Sequence, residues 1–225
     1  MPRRQSSPPP IGSRQSPDLD LEDLERVGLM SLDAGFELED ARVSAVSLVA
    51  VNAGSGRVRR VQLEDVGLVA GKLRAVGLVD VAAERIDASN GDWGGAELRR
   101  VRLNDARLTG LNLGEARIEE VSFTACKLDY ANFRHSKIRH LSFVDCVLTG
   151  ADFQGASIEA TLFAGCQLVE ADFSRAEMDR VDLRGSQLAP AGSLLGLRGA
   201  IIDSAQLLEL TQPLAAELGI TVDDG

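Results

Sequence analysis

Cys126, Cys146 and Cys166 stand 20 residues apart, and His135 and His140 are the only histidines in the chain. Thiols and imidazoles are the usual zinc ligands, and imidazole is the usual proton carrier near neutral pH. Three thiols stacked in one column cannot surround an ion tetrahedrally, so they are expected to be small apolar core fillers. The two histidines fall at equivalent positions five residues apart and are expected to point from different sides of the molecule. Gly67-Leu68-Val69-Ala70-Gly71-Lys72 echoes a phosphate loop, but it has three residues between the glycines where four are required. Leu73 then stands where Ser or Thr would meet magnesium. No Ser-His-Asp arrangement stands out. The expectation is no catalytic residue, no metal, no cofactor and no enzyme.

What places these residues is a repeat. From Phe36 the chain divides into blocks of five, such as VRLND, ARLTG, LNLGE and ARIEE, and the frame holds to Pro190 without an insertion through 31 blocks. The middle position is Leu, Phe, Ile, Val, Met, Trp or Ala, the first is small or apolar, and the others are largely polar or Gly. Period five suits neither a helix nor a long strand. It suits short extended pieces whose first and third side chains point inward, joined by bends. A longer period of 20 shows in the columns Phe123/Phe143/Phe163, Phe133/Phe153/Phe173 and Ile118/Ile138/Ile158. Four blocks therefore close one turn, and nearly eight turns are expected.

The purest copies, Ala131-Asn132-Phe133, Ala151-Asp152-Phe153 and Ala171-Asp172-Phe173, resemble the pentapeptide-repeat family. The resemblance covers residues 36–190 and implies an all-β fold, a right-handed quadrilateral parallel β-helix. Blocks 41–95 are degenerate, with Ala53, Ala83 and Ala88 at middle positions, and the sequence leaves open whether the turns there are regular or wider.

The ends differ in composition. Residues 1–17, rich in Pro, Ser and Arg, are expected to be a disordered tail. Residues 18–35 read as an N-terminal lead-in that caps the first turn, since a solenoid must cover its terminal layers. Residues 191–225 read as a partial turn and a helical cap. Asp203 or Ser204 opens the helix, Pro213 is expected to break it with Thr211 capping the second piece, and Gly219 stops it.

The formal charge of −10 excludes a generally basic nucleic-acid binder, so no direct nucleic-acid contact is expected. No run of 18 apolar residues suggests a membrane span, and the N-terminus lacks the apolar stretch of a secretory signal, so a cytoplasmic protein with reduced thiols is expected. Residues 36–190 carry a net −4, so the rod is nearly balanced. One side alternates in charge, while the column Asp92, Asn112, Asn132, Asp152, Asp172 makes the opposite side mildly acidic. Val144, Val147, Leu162 and Val169 are apolar at outward positions and form a candidate partner patch. Leu207 and Leu214 are the candidate homodimer contact in the C-terminal helix. The leading reading is a non-enzymatic protein-interaction scaffold with an unidentified client. The alternative comes from the resemblance: some family members mimic DNA, bind gyrase or topoisomerase IV and confer quinolone tolerance, which would place the acidic column on the enzyme.

Overall fold

The computed structural model describes residues 24–28 and 32–222. The expected tail over 1–17 and most of the lead-in over 18–35 lie outside the described residues. The strands are β1 (Glu25–Arg26), β2 (Glu37–Ser47), β3 (Arg57–Gly67), β4 (Gly77–Glu84), β5 (Glu97–Asn104) and β6 (Arg117–Thr124). They continue as β7 (Lys137–Arg139), β8 (Ser142–Val144), β9 (Ser157–Ala164), β10 (Gln167–Asp172), β11 (Glu177–Asp182), β12 (Gln187–Ala191) and β13 (Ala200–Ile201). A single helix, α1 (Ser204–Glu217), follows. All strand pairs are parallel, in the order β1-β2-β3-β4-β5-β6-β7-β9-β11-β13, with β8 between β6 and β9 and β10 beside β12. The fold is a right-handed quadrilateral β-helix of about nine turns with one C-terminal helix.

The register explains the period. Leu98 pairs with Ile118, and Phe123 with Phe143, so successive turns superpose identical block positions. Taking the turn that starts at Ala116, face 1 runs along Arg117–Glu119 and face 2 along Ser122–Thr124. Face 3 centres on Lys127 and face 4 on Asn132, where single bridges repeat from turn to turn. First and third block positions point inward and form one continuous apolar core.

The coil outruns the five-residue frame at both ends. Glu25 pairs with Ala41 and Val181 with Ala200, so the terminal steps are 16 and 19 residues rather than 20. Those turns therefore lie beyond the nearly eight that the frame predicts. The reason at the C-terminal side is local. Every fifth residue from Asp40 to Gly185, Ser55 excepted, has φ between 48° and 74°. Proline is fixed near −65° and cannot take such a corner, so at Pro190 the bend moves to Gly192, at φ 70°.

Most of these corners are not glycine. The left-handed conformation costs an L-residue roughly 1–2 kcal/mol, and the coil holds it because the corner amide donates to the next turn, as Tyr130 N does to Thr149 O at 2.9 Å. After faces 3 and 4 the corner is also closed by a β-turn bond, for example Ala131 N to Leu128 O at 3.0 Å. Residues 41–95, whose regularity the sequence leaves open, keep the same register as the rest. The turn with the large Trp93 carries Ala83 and Ala88 at two other middle positions, so volume is redistributed rather than the coil widened.

Proline 213 lies within one continuous helix, contrary to the expected break. The carbonyl it leaves unpaired, on Glu209, belongs to an exposed residue where water can replace the bond. Thr211 caps nothing; its hydroxyl donates back to Leu207 O at 3.0 Å. Asp203 opens α1, accepting from Ala205 N and Gln206 N, while the Gln206 side chain accepts from Asp203 N.

Candidate interaction surfaces

The cysteines line the interior where face 2 turns into face 3. Each thiol donates to two carbonyls, as Cys146 Sγ does to Phe123 O at 3.4 Å and Val144 O at 3.3 Å. The neighbouring thiols and burial push Cys146 up, so it remains a thiol and behaves as a small packing group. Ser186 continues the column, donating to Phe163 O at 3.0 Å and accepting from Cys166 N at 3.1 Å. His135 and His140 are exposed at different corners, and the His135 ring lies over Gly155. No cluster of three or more metal-ligating side chains occurs among the described residues.

The column Asp92, Asn112, Asn132, Asp152, Asp172 is brought together on face 4, as bridges between successive members. Its oxygens are occupied inside the protein. Each Oδ1 accepts from the backbone N–H two residues on: Gly94, Gly114, Arg134, Gln154 and Ser174. Side chains also bond along the axis, Asn112 Nδ2 to Asp92 Oδ1 at 2.7 Å and Asn132 Nδ2 to Asn112 Oδ1 at 2.8 Å. Arg74 pairs with Asp92 at 3.2 Å, Arg134 pairs with Asp152 at 3.3 Å, and Gln154 bonds Asp172. Burial alone would raise Asp92, but the Gly94 N–H, the Asn112 amide and Arg74 outweigh it and hold the carboxyl below its usual range. Burial is likewise outweighed at Asp172 by Ser174 and Gln154. The column is therefore a bonded ladder that fixes the turns, with most of its charge internally matched.

The apolar candidates divide between two sides of one corner. Leu162 and Val144 lie on face 2, Val147 and Val169 on face 3, and all four are half-buried. Charge is unevenly spread along the axis. Residues 97–140 carry nine Arg or Lys against six carboxylates, and residues 141–190 carry three against eight. The near balance of the rod is thus an average over a basic middle and an acidic C-terminal stretch.

The C-terminal end is closed by side chains of α1 and its cap. Gln206, buried, donates to Leu183 O and Ser186 O, both at 2.7 Å. Asp203 Oδ2 accepts from Gly185 N at 3.1 Å, and Glu217 accepts from Leu194 N at 2.8 Å and from the Ser193 hydroxyl. These groups satisfy backbone that the last turn would otherwise leave open. Leu210 is buried and Leu214 packs against the core, so Leu214 faces inward. Leu207, Leu208 and Leu218 are 52%, 76% and 71% exposed.

With this geometry stands a sequence match: the pattern of a pentapeptide repeat region covers residues 116–191. Residues 116–191 thus carry a pentapeptide repeat region. Among solved structures, the chain is similar to HetL of the cyanobacterium Nostoc sp. strain PCC 7120, a pentapeptide repeat protein involved in heterocyst differentiation regulation. The identity is 20% and the TM-score 0.48, over 75% of this chain and 85% of that one. It is also similar to trypsin-treated QnrB1, a plasmid-mediated fluoroquinolone resistance protein, at 19% identity and TM-score 0.39, over 89% and 99% of the two chains. No curated protein matches the chain. Pentapeptide-repeat proteins are in general non-enzymatic structural or interaction proteins. No described helix of this chain is long and apolar enough to cross a membrane.

Two features of this surface are not visible in the sequence. One is the use of Gln206 and Glu217 to close the last turn, for which the sequence signal is only Asp203 followed three residues on by Gln206. The other is that the acidic column is bonded to its own turns, which Asx followed two residues later by a free N–H could have signalled.

Proposed function

We propose that this protein is a non-enzymatic, cytoplasmic interaction scaffold that self-associates through the exposed side of α1 and presents the rod to a protein client. The observation that carries this reading is the row Leu207, Leu208 and Leu218 left open on a helix whose opposite side is fully used to close the coil. Exposed apolar side chains grouped on one element mark contact surfaces more often than scattered ones do. Three free, buried thiols accord with a reducing compartment. Light scattering of the wild-type chain and of Leu207→Asp with Leu208→Asp tests it. A dimer that becomes a folded monomer supports the reading, and a wild-type monomer at high micromolar concentration removes self-association. Leu214→Asp is unsuitable, because that side chain packs against the core.

The second reading is DNA mimicry toward gyrase or topoisomerase IV. The eight carboxylates of residues 141–190 favour it, while the bonded ladder counts against an assignment to Asp152 and Asp172. Inhibition of gyrase supercoiling by the purified protein, absent with an unrelated acidic protein, would support mimicry. No inhibition would leave the scaffold reading.

A further inference from the structure

We infer that the first turns of the coil contain a binding site for a small apolar molecule. A cavity of about 50 Å³ lies among wholly apolar side chains, including Leu32, Phe36, Leu63, Leu68, Val76 and Trp93. Its origin is visible in the repeat. Gly56 and Gly71 occupy inward first positions in one turn, so two side chains that other turns supply are missing there. The Phe36 ring folds over Gly56 and closes part of the gap, since a Cβ at Gly56 would lie 2.1 Å from it. The Trp93 indole forms a wall, and its Nε1 is the one buried side-chain nitrogen or oxygen without a hydrogen-bond partner among the described residues.

The chemistry of the lining selects the occupant. A space of this size has room for on the order of four water-sized spheres, but an internal water needs two to four polar partners. The cavity surface presents no polar atom, so water gains little there. An apolar occupant restores the dispersion contacts that the facing side chains lack across a void. An engineered apolar cavity of about 150 Å³ takes benzene or xenon. A space about a third as large fits a gas or a hydrocarbon of about two to four heavy atoms.

Xenon is the probe, applied under pressure to the full chain with labelled methyl groups and followed by NMR. Saturable shifts at Leu63 and Leu68, with Leu128 and Leu148 unmoved, are expected. Val66→Ile and Val76→Ile each add a methyl group to the lining, and each is expected to weaken xenon binding at least fivefold with the circular dichroism spectrum unchanged. Failure of the wild-type shifts to saturate, or equal binding in both variants, overturns the site. If one variant misfolds, the other decides.

Discussion

The turns over residues 36–95 and those over residues 116–175 share one backbone path and are held by different side chains. In the later turns two phenylalanine stacks fill the interior. Phe123, Phe143 and Phe163 lie 5.1 and 4.9 Å apart, and Phe133, Phe153 and Phe173 lie 4.7 and 4.9 Å apart. The stacks also meet edge to face, as Phe133 and Phe143 do at 6.0 Å. The early turns have mostly Val, Leu and Ala inside, with Phe36 and Trp93 beside a hollow, and their arginine bridges gather several carboxylates on one guanidinium. Arg60 pairs with Asp40 and Glu39, and Arg85 with Asp65, Glu64 and Glu84. Exposed pairs of this kind contribute roughly 0–1 kcal/mol each. The parallel rungs thus fix the path in both regions, and the core sets how firmly each region is held.

The comparison breaks first at Phe143, which touches both stacks. Phe143→Ala should cost about 4 kcal/mol in urea unfolding, near the upper end for core truncations. A loss below that of Leu63→Ala, beside the hollow, would show that the later turns do not depend on their aromatic core.

Among the outer bridges one stands apart. Arg100 holds Asp80 through two bonds, at 2.5 and 2.6 Å, and both side chains are largely buried. Removing one member of a largely buried pair costs its partner two charge-assisted bonds, so Asp80→Ala should cost about 2 kcal/mol. Asp65→Ala, in an exposed bridge, should cost under about 1 kcal/mol by the same measurement.

Acid weakens both regions and the turn that follows them. Arg184 beside Asp182 holds that carboxyl low, and Asp92 and Asp172 are held low by their own turns. A folded value below the unfolded one of about 3.9 stabilises above that pH. The contribution is lost as pH falls through the lower folded values. Urea midpoints should fall as the pH drops below about 4, and Asp182→Asn should flatten that fall.

The smallest effect tests the corners. Gly185 sits at φ 74° with open space where a Cβ would point. Gly185→Ala should cost about 1 kcal/mol from backbone conformation alone. A neutral result would mean that hydrogen bonding between turns absorbs the strain even at a corner near the end of the coil.

The columns were legible in the sequence because inward positions of successive turns must be mutually compatible, as Phe123, Phe143 and Phe163 are. The end of the frame was legible at Pro190, whose ring forbids the corner conformation. The terminal turns were not, because their 16- and 19-residue steps abandon the period. Nor was the passage of α1 through Pro213, which depends on the exposure of a single carbonyl. For the surface, the sequence located the column ending in Asp172 but not its employment. A carboxylate bonded to its own turn and one free for a partner have the same letter.

The bonds between turns run along the axis of the rod, and each full turn contains 20 residues. Tension applied to the two ends therefore loads the rungs one after another, as in opening a zipper, instead of shearing a whole sheet at once. Each released turn lengthens the chain by about 70 Å at roughly 3.5 Å per residue. The molecule should extend under load in even, low-force steps, with the hollow early turns yielding before the phenylalanine-filled ones.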